Sequence, residues 1–97
     1  MKKIKIKRIA FPTEIAEIED AFNDNIDVIV EFCDGSSVCV VVATPQNLIW
    51  QMEKENMDFL PLGEPMVIVS KIDSDIIERA LHEYEKDAEL FERLFLM

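Results

Sequence analysis

The stretch that decides the fold lies at residues 26–43, where IDVIVEFC (26–33) and VCVVVA (38–43) flank the four residues DGSS (34–37). Valine and isoleucine dominate both runs, and β-branched side chains favour the extended backbone of a strand. The residues between the runs, Gly35 above all, adopt the positive φ angles of a tight reversal at little steric cost. The stretch therefore predicts a β-hairpin.

Both faces of this hairpin are apolar. Successive side chains of a strand point to opposite faces, so even-numbered residues such as Val28 and Val40 point away from odd-numbered ones such as Ile29 and Val41. A sheet that is apolar on both sides needs cover on both. We therefore expect either helices on each side of the sheet or a second subunit on one face.

The segments that precede the hairpin predict one strand and one short helix. Lysines alternate with isoleucines over residues 3–7, which is the pattern of a strand with one solvated face. Pro12 ends this strand, and Thr13 caps a helix of about ten residues. The apolar residues of that helix fall at helical spacing: Ile15, Ile18 and Phe22.

The segment that follows the hairpin predicts a second helix. Thr44 and Pro45 form a helix start, because the hydroxyl caps a free amide and proline at the first position costs no hydrogen bond. The helix extends to about Asn56, and its buried stripe comprises Leu48, Ile49 and Met52. Trp50 lies off the centre of this stripe, which favours the margin of the core over a contact surface.

The last third of the chain predicts an apolar loop, a strand and helical sequence. Residues 57–65 contain two prolines and a glycine together with Phe59, Leu60 and Leu62, so this loop either covers the core or forms a docking surface. Residues 66–70 form a short buried strand. Residues 74–96 keep helical periodicity throughout, so either one long helix leaves Phe91 and Phe95 overhanging, or a break near residues 86–87 produces two helices.

Together these elements predict a single α+β domain over residues 1–97 with the order βαββαβα. This order resembles the split βαβ arrangement of ferredoxin-like domains with an added C-terminal helix, and it implies a small, mostly antiparallel four-stranded sheet. The alternative is a meander sheet of the same strands with both long helices on one face.

The charge distribution limits the kinds of partner. The chain has 20 acidic and 10 basic residues, and five of the basic ones lie within residues 1–8, so residues 9–97 carry a balance of −15. Such a surface repels nucleic acid and anionic membranes and attracts basic proteins. No apolar run is long enough to span a bilayer, and the basic start lacks the apolar core of a signal peptide. We therefore expect a soluble, cytoplasmic protein.

Few residues of the chain are candidates for catalysis or for binding a metal or cofactor. Glu78, His82 and Glu85 share one predicted helix face and are weak candidates for a metal site, although a solvated histidine explains them more simply. Cys33 and Cys39 lack the spacing of a zinc or redox motif and predict reduced, mostly buried thiols. The chain contains no phosphate-binding glycine loop. We therefore expect no cofactor and no enzymatic activity.

The hairpin followed by ATPQNL (43–48), together with IIERALHEY (76–84), resembles small uncharacterised bacterial proteins, some of them similar to immunity proteins of toxin systems. The resemblance implies a stoichiometric binder and assigns no residues. We therefore expect a non-enzymatic protein that binds a basic partner. The alternative is a homodimeric structural or regulatory domain. The partner-binding candidates are Phe59, Leu60, Leu62, Glu78, Glu83, Glu85, Asp87, Glu89, Phe91 and Phe95.

Overall fold

A computed structural model describes residues 5–61 and 65–95, and this part of the chain has an α+β fold. The strands are β1 (Ile6–Ala10), β2 (Asn25–Phe32), β3 (Ser37–Ala43) and β4 (Met66–Ile68). The helices are α1 (Pro45–Lys54), α2 (Ser74–Lys86) and α3 (Ala88–Phe95), and a single 3₁₀ turn spans Ile15–Glu17.

The four strands form one mixed sheet in the order β1-β2-β3-β4. The predicted hairpin is confirmed: β2 and β3 are antiparallel, Val28 lies opposite Val40, and Gly35 adopts a φ of +91° in the turn. The ferredoxin-like arrangement is wrong, because β3 and β4, which α1 connects, are direct neighbours and parallel. Residues 44–65 are long enough for such a crossover between adjacent strands.

The hydrophobic core lies on the sheet face that α2 and α3 cover. Even-numbered residues of β2 and β3 supply the sheet side, and Ile77 and Leu81 supply the α2 side. All of these are buried except Val38, which is half-buried. Phe91 of α3 is only 6% exposed and packs edge-to-face on Phe32, with ring centroids 5.6 Å apart. The packing of α2 and α3 on this face removes apolar side chains of the sheet and of both helices from water, and this burial is the main source of stability of the fold.

The C-terminal helical sequence divides at Asp87, as one of the two alternatives predicted. The backbone of Asp87 is extended, and its carboxylate accepts hydrogen bonds from the amides of Glu89 and Leu90. The break directs α3 back toward the sheet, so Phe91 and Leu94 are buried in the core. The overhanging apolar segment that a single long helix implied is therefore absent over residues 88–94.

The prediction of a helix after Thr13 is wrong, because this segment forms only the 3₁₀ turn and irregular bends on either side of it. A helix of ten residues is marginal by itself, and carboxylates spaced three or four residues apart repel one another along its surface. Ile15, Ile18 and Ala21 nevertheless pack against the core. The segment is thus fixed by its contacts with the rest of the domain.

Helix α1 begins as predicted, with the hydroxyl of Thr44 accepting a hydrogen bond from the amide of Asn47. It contributes no residue to the core beneath α2 and α3, so the two long helices do not share that core. The sequential strand order of the meander alternative is observed, but its last pair, β3 and β4, is parallel. Leu48 and Met52 are half-buried, but Ile49 is 54% exposed. The predicted buried stripe is therefore incomplete.

The second face of the sheet carries the odd-numbered residues of β2 and β3. Cys33 and Cys39 are exposed and are not joined in a disulfide, so the prediction of mostly buried thiols is wrong. Cys39 lies opposite Ile29 in the register, four residues from Cys33. That offset corresponds to about 13 Å along a strand, too far for a disulfide.

Candidate functional site

The acidic residues predicted to bind a partner lie mainly on α2 and α3, and most of them are engaged within the domain. Glu83 pairs with Lys86 at 3.1 Å and Glu89 pairs with Arg93 at 2.7 Å. Asp87 caps α3. The carboxylate of Glu85 accepts a hydrogen bond from the amide of Ile6 and so connects α2 to β1. Cations and backbone amides of the domain itself therefore already compensate part of the negative charge of these carboxylates.

The three metal candidates do not converge on one point. His82 Nδ1 lies 3.2 Å from one carboxylate oxygen of Glu85. The other oxygen of Glu85 accepts a hydrogen bond from the backbone amide of Ile6. Glu78 is exposed and makes no hydrogen bond or ion pair with another described residue. Within residues 5–61 and 65–95, no group of three or more such side chains is arranged to hold a metal ion.

The apolar candidates separate into different environments. Phe59 is exposed and Leu60 is half-buried, so part of the predicted apolar loop remains available for contacts. Phe91 is buried against Phe32 and is inaccessible to a partner. Leu62 and the side chain of Phe95 lie outside the described residues.

A concave surface beside α2 contains charges of both signs. Its volume is about 740 Å³, and Glu78 and Glu83 line it together with Arg79 and Lys86. The two cations offset the two anions, so this surface offers no strong attraction to a basic protein. The α2 face is therefore a weaker candidate than the sequence indicated.

The structure forms a second groove, of about 450 Å³, around the 3₁₀ turn, and we call it the acidic groove. Its lining residues are Thr13, Glu14, Glu17, Ile18, Glu19, Asp20, Asn23 and Asp24. Residues 13–24 contain five carboxylates and no lysine or arginine. Among the residues that the structure describes, no cation lies within 4.0 Å of these five carboxylates.

Backbone hydrogen bonds hold the acidic groove against the domain. The amide of Ile72 donates to the carbonyl of Ala21 at 2.7 Å, and the amide of Thr44 donates to the carbonyl of Asp24 at 3.3 Å. Ile15 and Ile18 pack on the core from the same segment. These contacts hold the backbone that carries the five carboxylates in place without a regular helix.

A polar network extends this anchoring to α1. The side chain of Asn47 is 4% exposed, and its amide nitrogen donates to Asn23 Oδ1 at 3.1 Å. Its oxygen accepts hydrogen bonds from Asn25 Nδ2 at 2.8 Å and from Gln51 Nε2. Asn23 lines the acidic groove, so the position of its wall depends on the first turn of α1.

An apolar residue lies within the acidic segment. Phe22 is 57% exposed, and Lys71 Nζ lies 6.0 Å from the centroid of its ring. Carboxylates beside an exposed aromatic ring suit a partner that offers lysine or arginine together with an apolar side chain. Sequence reasoning missed this site, although the five acids without a cation were visible, because Phe22 was assigned to a buried helix face.

No helix in the described part of the chain is both long and apolar enough to cross a membrane. No family model, curated protein or solved structure matches this chain. The resemblance to immunity proteins of toxin systems therefore stays a prediction.

Proposed function

We propose that this chain is a non-enzymatic protein-binding domain whose acidic groove binds a basic partner protein. The observation that supports it best is the cluster of five carboxylates with no cation within 4.0 Å among the described residues. Uncompensated charges of one sign attract a basic surface over a range of about 10 Å at 0.1 M salt.

A stoichiometric inhibitor similar to toxin-immunity proteins is the specific form of this function that we propose. The fit of an anionic groove to a basic partner supports it, because a bound acidic domain would cover the surface with which a basic enzyme meets an anionic substrate. Cys33 and Cys39 are exposed and are not joined in a disulfide, which suits a reducing compartment, and we propose a cytoplasmic location on that basis.

The test compares two triple variants that remove equal charge. Glu14→Gln, Glu17→Gln and Glu19→Gln neutralise the acidic groove, whereas Glu78→Gln, Glu83→Gln and Glu89→Gln neutralise the α2 and α3 surface. Each tagged protein captures partners from a lysate of its source organism at about 50 mM salt, and recovered proteins are identified by mass spectrometry. Affinity for the recovered protein is then measured by calorimetry.

We expect one basic protein to bind the unmodified chain at a 1:1 ratio. Its Kd should rise by about 10- to 100-fold in the groove variant and by less than about threefold in the control. Raising the salt to about 500 mM should weaken the complex. The proposal is wrong if no basic protein is recovered, or if both triple variants bind equally well.

A further inference from the structure

Strand β1 lies at one edge of the sheet, since the strand order is β1-β2-β3-β4. The amide of Cys33 donates to the carbonyl of Lys5 at 2.8 Å, so these two residues join the strands. The next pair, Ile6 and Phe32, is turned the other way, because the amide of Phe32 donates to Ser36 in the hairpin turn at 2.9 Å. Such pairs alternate in an antiparallel ladder. The amide of Ile6 therefore points away from β2, toward the open edge.

Glu85 of α2 occupies this outward amide. One of its carboxylate oxygens accepts the hydrogen bond from Ile6, although the two residues are 79 positions apart in the chain. The side chain of Glu85 is 20% exposed, whereas that of Glu83 on the same helix is 70% exposed. Glu85 therefore faces the edge of the sheet, and Glu83 faces solvent.

His82 holds the carboxylate of Glu85 in this orientation. Its Nδ1 lies 3.2 Å from the oxygen that does not bind Ile6. Rotation of the Glu85 side chain away from β1 would therefore break two contacts at once. A hydrogen bond from a backbone amide to an ionised carboxylate is also stronger than one between neutral groups. The carboxylate is thus well placed to stay on the edge of β1.

We propose that Glu85 prevents the open edge of β1 from pairing with a strand of another molecule. A strand added to β1 must lie about 4.8 Å from it and must hydrogen-bond to its outward backbone groups. The carboxylate of Glu85 already occupies the amide of Ile6, and α2 contacts β1. An approaching strand would therefore have to displace the Glu85 side chain before it could pair.

Two features of β1 itself act in the same direction. The register between β1 and β2 is irregular between Ile6 and Arg8, and the exposed Lys7 lies within this irregularity. Bulges and lysines are common means by which edge strands avoid pairing between molecules. Neither feature occupies the amide of Ile6, so Glu85 supplies a protection that the strand by itself lacks.

The test compares Glu85→Ala with Glu83→Ala, which removes the same charge from the solvent side of α2. Hydrogen exchange of the Ile6 amide is measured by NMR at about 50 μM, and self-association by sedimentation velocity up to about 500 μM. We expect exchange at Ile6 to become about 10- to 100-fold faster in Glu85→Ala and to change by less than about threefold in Glu83→Ala. Glu85→Ala should also self-associate with a Kd at least about tenfold lower than that of the control.

Glu85→Asp is a second variant that keeps the charge but shortens the side chain by one methylene, so its carboxylate no longer reaches β1. It should resemble Glu85→Ala in both measurements, and it serves as the test if circular dichroism shows that Glu85→Ala does not fold. In the associated form the amide of Ile6 should be protected again, because the added strand accepts its hydrogen bond.

Three results overturn the proposal. The first is exchange at Ile6 that is no more than about threefold faster in the Glu85 variants than in Glu83→Ala. The second is fast exchange without any self-association beyond that of the control, because the hydrogen bond would then only attach β1 to α2. The third is an associated form in which Ile6 still exchanges rapidly, because the contact would then lie elsewhere.

Discussion

Asn47 offers the most direct test of how the acidic groove is held. Its side chain makes three hydrogen bonds, one donated to Asn23 and two accepted from Asn25 and Gln51. Each neutral hydrogen bond contributes about 0.5–1.5 kcal/mol net. The three partners are exposed or half-buried. After substitution of Asn47 by alanine, water can therefore hydrogen-bond to them, and the variant does not pay the further cost of a buried polar group without a partner.

We therefore expect Asn47→Ala to reduce the free energy of unfolding by about 2–3 kcal/mol. For a domain of this length that corresponds to a fall in Tm of about 10–20 °C. Asn47→Asp keeps both accepted hydrogen bonds and places a negative charge in the first turn of α1, where the helix dipole favours it. Its second oxygen replaces the donor that faced Asn23 Oδ1 and lies in a site that is 4% exposed, so Asn47→Asp should lose about as much stability as Asn47→Ala.

The assay is urea unfolding at pH 7 followed by circular dichroism at 222 nm. Gln46→Ala is the matched control, because Gln46 is an exposed neighbour in the same helical turn, and it should change stability by less than about 0.5 kcal/mol. If Asn47→Ala is as stable as this control, the network does not anchor α1. The slope of the transition should stay constant, since the surface exposed on unfolding is unchanged.

Three further predictions concern the cap, the core and a cross-strand pair. Thr44→Ala removes a buried helix cap and should cost about 1–2 kcal/mol in urea unfolding. Leu81→Ala leaves a cavity at a fully buried site and should cost about 2–5 kcal/mol, whereas Leu90→Ala should cost less than about 1 kcal/mol. Hydrogen bonds from Arg8 at 2.5 and 3.1 Å lower the pKa of Glu31 below its ordinary value. The stabilisation from this pair is present above the ordinary glutamate pKa and is lost as pH falls through the lowered pKa, so Arg8→Ala should raise the titration midpoint of Glu31 in NMR.

Each of these results has an outcome that contradicts the structural reasoning. Equal stability of Thr44→Ala and the unmodified chain would mean that the hydroxyl does not cap α1. If Leu81→Ala and Leu90→Ala lost the same free energy of unfolding, Leu81 would not belong to the hydrophobic core. A Glu31 midpoint that does not move after Arg8→Ala would show that the two side chains do not pair in solution.

The hairpin was predictable because its information is local. Two runs of β-branched residues and a glycine turn specify both strands, and the alternation of side chains specifies which residues share a face. The start of α1 was predictable for the same reason, since Thr44 and Pro45 satisfy the free amides of a first turn by themselves. In both cases the deciding residues lie within a few positions of one another.

The segment around the 3₁₀ turn was not predictable in the same way. Ile15, Ile18 and Phe22 have helical spacing, but in the folded domain two of them pack on the core while Phe22 is exposed. The contacts that decide this, such as the hydrogen bond from Ile72 to Ala21, join residues about fifty positions apart. No local pattern contains that information, so the acidic groove was missed with the segment that forms it.

The sequence by itself determined the α+β class, the hairpin, the cap of α1 and the strong acidic balance, because these depend on propensity, spacing and composition. The tertiary structure alone decided that β4 lies beside β3 in parallel, that Asp87 directs α3 onto the core, and which carboxylates remain without a cation. Those features depend on where separate segments meet. Contacts between separate segments form because together they bury one apolar face of the sheet. That burial depends on the whole chain and not on any single stretch of it.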